Sequence, residues 1–230
     1  GNLSLNYEKI KLQRDIEFYK IKKNFLELKG YVKPEIGKLN SQAIKRELVI
    51  KLRNTDVELT YDLVDIDNLG SFEINIDLNL LSKYITVDKV LFDFYYRYSN
   101  EIHMIEKKLG FEEYDFKKDG ILEKDYFKTP NGYVYSYLCI TPHGNPTLAA
   151  MLLDPKTHYY LKYKQHLDVW LNRNRDVWLV GERPDTAQDT GYHFFKYCRE
   201  NYPEKEVYYV IQSDSKDRKN IEHLGNVVEL

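Results

Sequence analysis

The first 140 residues consist largely of short apolar runs separated by turn-forming residues. KIKLQRDIEFYKI (9–21) alternates with the period of a half-buried strand, with apolar side chains at Ile10, Leu12, Ile16 and Phe18. Further runs are NFLELKGYV (24–32), ELVIKL (47–52), VELTYDLV (57–64), SFEINIDL (71–78), KVLFDFYYRY (89–98), EIHMIEKKL (101–109) and YVYSYLCI (133–140). Because turn residues rather than helical repeats separate them, the spacing predicts an antiparallel β-sandwich over residues 1–150.

The pattern becomes helical after residue 150. Asp154 is well placed as an N-cap, and Pro155 is favoured at the first helical position. One face then carries apolar side chains at three- and four-residue spacing, namely Tyr160, Tyr163, Leu167 and Trp170. We therefore expect a connecting helix within residues 151–175. Its Tyr, Trp and Lys content would suit a membrane surface, and packing between two domains is the simpler alternative.

Strand and helix patterns alternate from residue 176 onward. VWLVG is typical of a fully buried strand, QDTGYHFFKYCREN of a helix, VYYVIQ (207–212) of a strand, KDRKNIEHL of a short helix, and NVVEL of a third strand. This order predicts a parallel sheet with crossover helices over residues 176–230. Since such sheets are covered on both faces, we expect these residues to be the opening part of a larger α/β domain.

Composition argues against several classes of function. The formal net charge is -2, with 34 basic and 36 acidic residues, so no global field attracts nucleic acid. Cys139 and Cys198 lie far apart, and the six histidines form no HExxH or Cys/His cluster, so no metal site is expected. Because no run of 18 apolar residues occurs, any membrane association is expected to be peripheral.

The loop after VWLVG carries the first candidate functional residues. It reads Gly181-Glu182-Arg183-Pro184-Asp185, with one glycine and a proline that lacks an N–H, unlike a dinucleotide-binding loop. No Walker A sequence occurs either, so no cofactor is expected. Glu182 and Arg183 nevertheless follow a strand at the edge where α/β sheets bind ligands. Structural alternatives are a capping box formed by Asp185 and Gln188, a cap at Asp189, and a salt bridge for Arg183.

The segment 176–230 also carries a recognisable set of short motifs. These are Trp178-Leu179, Glu182-Arg183, Asp189, the run Gly191 to Tyr197, Tyr208-Tyr209-Val210-Ile211 and Leu224-Gly225-Asn226-Val227. In this set the segment resembles the start of the catalytic region of the CDP-glycerol glycerophosphotransferase family, which includes teichoic acid primases and polymerases. Thr190 departs from the family pattern, in which asparagine is commoner at that place.

The resemblance implies a transferase with two Rossmann-like domains of the GT-B type. It would move glycerol phosphate or ribitol phosphate from CDP-glycerol or CDP-ribitol to a lipid-linked cell-wall or capsule polymer. The enzyme would work in the cytoplasm, peripheral to the inner face of the bacterial membrane. The family's catalytic His-Gly motif and donor-binding domain are expected beyond residue 230, so no catalytic residue is assigned and this segment alone is expected to be inactive.

Three residues of this segment are our candidates for substrate binding. Arg183 would reach a phosphate at the strand end, Asp189 would orient an acceptor hydroxyl or cap the helix, and His193 would line the same cleft one turn later. His143-Gly144, in PHGNPT, precedes the first parallel strand, so we interpret it as a loop and not as the catalytic motif.

The β-rich part has a looser resemblance. LELKGYV, GSFEINIDL and VLFDFYYRY are similar to the immunoglobulin-like accessory module of many wall-polymer enzymes, with Phe92-Asp93 where Trp-Asp is usual. An alternative function is therefore a non-catalytic β-sandwich that binds polymer or drives oligomerisation, and a homo-oligomer is a further expectation. Glycerol versus ribitol, and priming versus extension, stay open.

Overall fold

A computed structural model describes residues 12–34, 45–64, 66, 70–99, 104–113 and 120–230. The chain divides into two compact units, residues 1–162 and 163–230. The dividing point falls within the stretch 151–175 for which a connecting helix is predicted.

Unit 1 is built from β-strands. They are β1 (Leu12–Lys22), β2 (Phe25–Pro34), β3 (Lys45–Leu52), β4 (Glu58–Asp62), β5 (Ser71–Asp77), β6 (Val90–Ser99), β7 (Met104–Lys108), β8 (Ile121–Thr129), β9 (Gly132–Ile140) and β10 (Pro146–Leu153). Each apolar run quoted above coincides with a strand, although Ile10 and residues 101–103 lie outside the described residues. Two further strands are not predicted from the sequence: β8, whose alternation is interrupted by charges, and β10, whose PTLAAMLL is rich in good helix formers.

Two antiparallel sheets enclose one hydrophobic core in unit 1. The first has the order β1-β2-β5, and the second has the order β4-β3-β6-β10-β9-β8, with β7 paired to the end of β6. Leu26, Leu28 and Ile76 from the first sheet share a buried cluster with Phe92 and Phe94 from the second. The predicted antiparallel strands are confirmed, whereas the immunoglobulin-like topology stays a prediction.

A β-bulge changes which side chains of β1 face the core. Ile16 pairs with Gly30 and Phe18 pairs with Lys29, so Glu17 is the extra residue. Ile16 is therefore buried, while Phe18 is 41% exposed, and the expectation that both lie on one face is wrong. A Cβ on Gly30 would lie 2.1 Å from the Asp15 carbonyl oxygen, so the bulge needs glycine at this position.

The helical stretch after β10 begins as predicted. The Asp154 carboxylate accepts hydrogen bonds from the backbone amides of Lys156 and Thr157, at 2.8 and 3.1 Å, and Pro155 opens α1 (Pro155–Tyr159). A π-helical turn (Tyr160–Lys164) joins α1 to α2 (Gln165–Leu171). The predicted apolar face is not buried, since its four residues, Tyr160, Tyr163, Leu167 and Trp170, are 43–59% exposed. The π-turn adds a residue to one turn and so shifts the phase of that face.

None of the helices in the described part of the chain is both long and apolar enough to cross a membrane. Cys139 and Cys198 are free thiols.

Unit 2 contains a parallel sheet whose two crossover helices pack on one face. The strands β11 (Val177–Val180), β12 (Glu206–Ile211) and β13 (Val227–Glu229) lie in that order, joined by α3 (Thr190–Asn201) and by α4 (Arg218–Ile221) with its following 3-10 turn. Phe195 of α3 and Ile221 of α4 pack on Val207, Tyr209 and Ile211 of β12. The predicted strands and helices are confirmed, while their assignment to a Rossmann-like domain stays a prediction.

The opposite face of this sheet is exposed along β11. Val177 and Leu179 alternate with the residues that face α3, and they are 41% and 69% exposed. The prediction that VWLV is fully buried is therefore wrong, because both crossover helices pack on the other face of the sheet.

Candidate functional site

An open cleft of about 350 Å³ lies where β11 ends and α3 begins. It is lined by Glu182, Arg183, Thr186, Gln188 and Asp189. All of these residues belong to the loop between the first parallel strand and its crossover helix. Such a position, outside the carboxyl end of a parallel strand, is where α/β sheets place ligands.

Glu182 joins this loop to the first turn of α3. Its Oε1 accepts hydrogen bonds from the backbone nitrogens of Asp189 and Tyr192, both at 2.9 Å. Its Oε2 accepts a longer bond of 3.3 Å from the backbone nitrogen of Gln188. The carboxylate therefore satisfies amides at the helix N-terminus that otherwise have no intrahelical partner.

Gly191 makes this close approach feasible. A Cβ at position 191 would lie 2.9 Å from Cγ of Glu182 and 3.1 Å from the carbonyl oxygen of Gly181. A larger residue would have to displace the Glu182 side chain or the end of β11. The glycine is thus explained by packing against the capping carboxylate.

The charge of Glu182 is stabilised where it lies. Burial alone would raise the pKa of its carboxyl, but the backbone amides of Tyr192, Gln188 and Asp189 outweigh burial and lower the pKa below its ordinary value. The negative carboxylate also sits favourably at the positive end of the helix. As a result the helix N-terminus is already occupied by an anion, and a bound phosphate would depend on side chains instead.

Hydrogen bonds from β12 and the following loop fix residues 184–188. The hydroxyl of Tyr209 donates to the Thr186 carbonyl at 3.0 Å, and Oδ2 of Asp217 accepts from the Ala187 backbone nitrogen at 3.1 Å. Asp217 also accepts from Nε2 of Gln188 at 2.6 Å. The cleft is therefore formed by a loop that is held at several points.

These bonds replace the capping box expected between Asp185 and Gln188. The helix begins at Thr190, which is too late for Asp185 to cap it, and the Gln188 side chain is engaged by Asp217 instead. The Asp185 carbonyl accepts a hydrogen bond from the Ser215 hydroxyl at 2.7 Å. The local sequence pattern is misleading because two longer-range partners compete for these groups.

The three predicted site residues differ in their placement. Arg183 is exposed and lines the cleft, and its guanidinium has no hydrogen-bond or ion-pair partner in the part of the chain that the structure describes, so the predicted salt bridge does not form. Asp189 occupies the N-cap position, but its side chain caps no amide, and among the described residues it receives only a 3.4 Å contact from the Thr190 hydroxyl. The cleft thus presents an unpaired cation and an almost free carboxylate together.

His193 lies one turn further along α3 and does not line this cleft. Its backbone nitrogen donates to the Asp189 carbonyl at 3.1 Å, and its exposed ring contacts Tyr192 edge-on, with ring centroids 5.0 Å apart. The expectation that His193 shares the cleft with Arg183 and Asp189 is therefore not met by the geometry.

The Leu224 to Val227 motif forms a turn that leads into β13. Gly225 and Asn226 have φ angles of +70° and +54°, in the left-handed region that these two residue types tolerate. Nδ2 of Asn226 donates to the Val207 carbonyl at 3.1 Å, and the Asn226 carbonyl accepts from the Tyr209 backbone nitrogen at 2.9 Å. The structural reason for this motif is the attachment of β13 to β12.

Two contributions to the site are missed by the sequence patterns. The sequence patterns suggest Glu182 only as a ligand-facing residue, and nothing in these patterns points to Asp217. Glu182 reaches amides seven and ten positions away, which is longer than any local capping pattern. Among the described residues, no cluster of three His, Cys, Asp or Glu side chains is arranged to hold a metal ion.

Comparison with known proteins finds similarity to solved structures but no matching family model or curated protein. Among solved structures, that of S. aureus TarS is similar at 14% identity and a TM-score of 0.49, over 65% of this chain and 26% of TarS. The structure of S. aureus TarS 217-571 gives the same identity and score, over 65% of this chain and 40% of that one. The chain therefore spans less than half of either structure, and likeness of this strength supports no conclusion about activity.

Proposed function

We propose that the chain is part of a polyol-phosphate transferase. The whole enzyme would move glycerol phosphate or ribitol phosphate from CDP-glycerol or CDP-ribitol to a cell-wall or capsule polymer. The proposal rests on the motifs of residues 176–230 that resemble the CDP-glycerol glycerophosphotransferase family, together with the way these residues are placed.

One observation carries the proposal. Glu182, Asp189, Gly191 and Tyr192 belong to two separate motifs, and they form a single contact set in which the Glu182 carboxylate binds the start of α3. This contact holds Arg183 and Asp189 at the mouth of one cleft. A substrate-binding loop of fixed shape would require both motifs together.

The chemistry of the cleft fits one part of phosphoryl transfer. Arg183 offers the planar, permanently charged group that pairs best with phosphate oxygens, and the helix N-terminus does not compete for them. Asp189 would accept a hydrogen bond from a polyol hydroxyl. In this proposal both residues position a substrate, while the base and the main donor-binding groups belong to other parts of the enzyme.

The wider setting of the enzyme is also a proposal. The acceptor would be a lipid-linked polymer at the inner face of the bacterial membrane, reached by a peripheral protein that forms a homo-oligomer. Residues 1–150 would serve as an immunoglobulin-like accessory domain, 151–175 as the connection, and 176–230 as the start of a Rossmann-like transferase domain.

The test measures transfer from labelled CDP-glycerol and CDP-ribitol to polymer by the full-length protein and its variants. Arg183→Ala should lower kcat/KM by about tenfold or more, since a charge that stabilises phosphate oxygens is lost. Asp189→Ala should raise KM for the acceptor. Lys216→Ala and Asp214→Ala remove exposed charges of the same unit that do not line the cleft, and should have no effect.

Unchanged kinetics in both cleft variants would reduce Arg183 and Asp189 to structural residues. If the full-length protein transfers from neither donor but binds polymer, the alternative of a non-catalytic binding module is supported instead.

A further inference from the structure

A second cleft, also of about 350 Å³, lies on unit 1 at the end of the sandwich near the β1–β2 turn. We call it the lysine cleft, and its polar lining consists of Lys23, Asn24, Asn79, Lys128, His158 and Lys162. These residues come from the β1–β2 turn, the 3-10 turn after β5, strand β8 and the helical stretch that begins at Pro155. None of the residues predicted as a site lies here.

The lysine cleft is electropositive. Three lysines line it, and no carboxylate does. Two acids bond to lining residues without lining the cleft themselves: Oδ2 of Asp125 accepts from the Lys23 backbone nitrogen at 2.8 Å, and Oδ1 of Asp77 accepts from the side chain of Asn24 and from the backbone of Asn79. Three cations facing one open volume of this size favour an anionic ligand.

A buried histidine forms one wall of the cleft. The His158 side chain is only 7% exposed, and its ring stacks on Tyr133 with centroids 3.8 Å apart and planes 2° from parallel. Tyr126 contacts the same ring edge-on at 5.3 Å. No hydrogen bond joins the imidazole nitrogens to any residue that the structure describes. These nitrogens therefore keep their hydrogen-bonding capacity for a ligand in the cleft.

The imidazole is arranged to act as a neutral group. Burial and the positive charge of Lys162 lower the pKa of His158 below its ordinary value. A neutral ring offers one donor and one acceptor, which suits a hydroxyl as well as a phosphate oxygen. The attraction for an anion therefore comes from the lysines, and the histidine contributes a directed hydrogen bond.

The backbone at Lys23 has a conformation that is unfavourable for lysine. Its φ angle is +54°, and the other non-glycine residues with positive φ in the described part of the chain are both asparagines, Asn54 and Asn226. Asparagine tolerates this region, whereas lysine gains nothing local from it. The two-residue turn between β1 and β2 requires a positive φ at its first position, and this turn places Lys23 and Asn24 in the lining of the cleft.

We propose that the lysine cleft binds a small phosphate ester that carries hydroxyl groups. The lysines would bind the phosphate, while His158, Asn24 and Asn79 would hydrogen-bond the hydroxylated part. A nucleobase is a poorer fit, because the ring of Tyr133 stacks on His158 and that of Tyr126 stacks on Tyr135. The volume lies at the lower end of the range for small-molecule sites.

The test is isothermal titration of the full-length protein with sn-glycerol 3-phosphate, glycerol, inorganic phosphate and glycerophosphoglycerol. We expect the glycerol 3-phosphate to bind at least about tenfold more tightly than glycerol or inorganic phosphate, which corresponds to about 1.4 kcal/mol. Tighter binding of the diester would identify the ligand as a unit of a polymer, and tighter binding of the monoester would identify a free small molecule.

Two variants and a matched control locate the site. The double variant Lys23→Gln/Lys128→Gln should lose about tenfold or more in affinity, whereas Lys124→Gln, which removes an exposed charge from the same strand β8, should not. His158→Phe keeps an aromatic ring for the stack but removes both nitrogens, and it should weaken the ester more than inorganic phosphate. Chemical shifts of the His158 ring in the wild-type protein should move on addition of the ester, which gives a readout that needs no variant.

Absence of saturable ester binding, or equal binding by the wild type and the lysine double variant, would overturn the proposal. Equal affinity for the ester and inorganic phosphate would overturn the assigned roles of His158 and the two asparagines. Because binding is measured without turnover, these outcomes are separate from the test of the transferase proposal.

Discussion

Oε1 of Glu182 lies 2.9 Å from the backbone nitrogen of Tyr192, so that a side chain at the end of β11 closes the first turn of α3. The contact explains why Glu182 and Gly191 occur together, since any Cβ at position 191 would collide with Cγ of Glu182. It also means that the helix N-terminus has an internal anion, which directs any phosphate in this cleft to Arg183.

The contact between Glu182 and Gly191 predicts a measurable coupling. Glu182→Ala should lower the free energy of unfolding by about 1–2 kcal/mol because the cap is removed, which is the range known for lost N-caps. Gly191→Ala, which would gain up to about 1 kcal/mol in an open helix, should instead destabilise the wild type. In the Glu182→Ala background the collision with Cγ is gone, and the same change should cost less or become favourable.

Urea unfolding followed by tryptophan fluorescence measures the free energies of unfolding of the wild type, the two single variants and the double variant. Both tryptophans, Trp170 and Trp178, lie within residues 163–230 and so report on this unit. Additive effects of the two substitutions would show that the Glu182 side chain does not constrain position 191.

How well the sequence predicts the site depends on the range of the interactions. Asp154 can be recognised as a cap because it binds amides two and three residues away. The sequence pattern places the cap of α3 at Asp185 or Asp189, because nothing local reveals that Glu182 reaches it from the preceding strand. Arg183 and Asp189 come together as expected, since both flank the same loop, whereas the direction of His193 depends on how α3 packs.

In the fold, too, local features can be predicted from the sequence and long-range features cannot. Alternating apolar residues are sufficient to find most strands of the sandwich, since the period of a strand is a local property. The bulge at Glu17 is not predictable in this way, because it depends on pairing with Gly30 in the neighbouring strand. The burial of Leu179 is overestimated, because its apolar character does not reveal which face of the sheet the helices cover.

The pair formed by buried Asp93 and half-buried Arg53 should dominate the acid sensitivity of unit 1. Asp93 is 6% exposed, and its carboxylate receives two hydrogen bonds from Arg53, at 2.6 and 3.0 Å, and one from Thr147 at 2.9 Å. Burial alone would raise the pKa of Asp93, but the bonds from Arg53 and Thr147 outweigh it and lower the pKa. Asp93→Asn should cost about 2–3 kcal/mol, less than a fully buried pair, because the Arg53 side chain is 35% exposed.

The difference in the free energy of unfolding between the wild type and Asp93→Asn should become smaller as pH falls. The unfolded chain takes up the proton first, below about pH 4, so the stabilisation is complete above that value and declines as pH falls. Far-UV circular dichroism during urea unfolding follows the strands. A difference that stays constant from pH 7 to pH 3 would contradict the assigned role of the pair.

Tyr209 should make unit 2 sensitive to alkali. Its hydroxyl donates to the Thr186 carbonyl, and burial together with the charges of Glu182 and Asp217 raises the pKa of the phenol to about 12. A tyrosine in the unfolded chain ionises at about pH 10. The contribution to stability is therefore complete below pH 10 and is lost as pH rises towards about 12.

Tyr209→Phe should cost about 1 kcal/mol at neutral pH through loss of the hydrogen bond, and should show a smaller loss of stability between pH 9 and about 11. Tyr208→Phe, on the neighbouring residue of the same strand, is the matched control. Equal alkaline sensitivity in the wild type and the Tyr209→Phe variant would argue against a buried neutral phenol.

Lys23 should show opposite effects on stability and on ligand binding. Because its φ angle of +54° is unfavourable for lysine but tolerated by asparagine, Lys23→Asn should stabilise unit 1 by about 0.5–1 kcal/mol. The hydrogen bond from the backbone nitrogen of residue 23 to Asp125 does not depend on the side chain and should survive. The same substitution removes one of three cations from the lysine cleft, so affinity for glycerol 3-phosphate should fall.

Lys22→Asn, one residue earlier at the end of β1, carries the same change of charge without the positive φ, and should neither stabilise the unit nor weaken binding. Thermal unfolding followed by circular dichroism, combined with titration of the ester, separates the two effects. A Lys23→Asn variant that loses stability would show that the turn conformation is not strained.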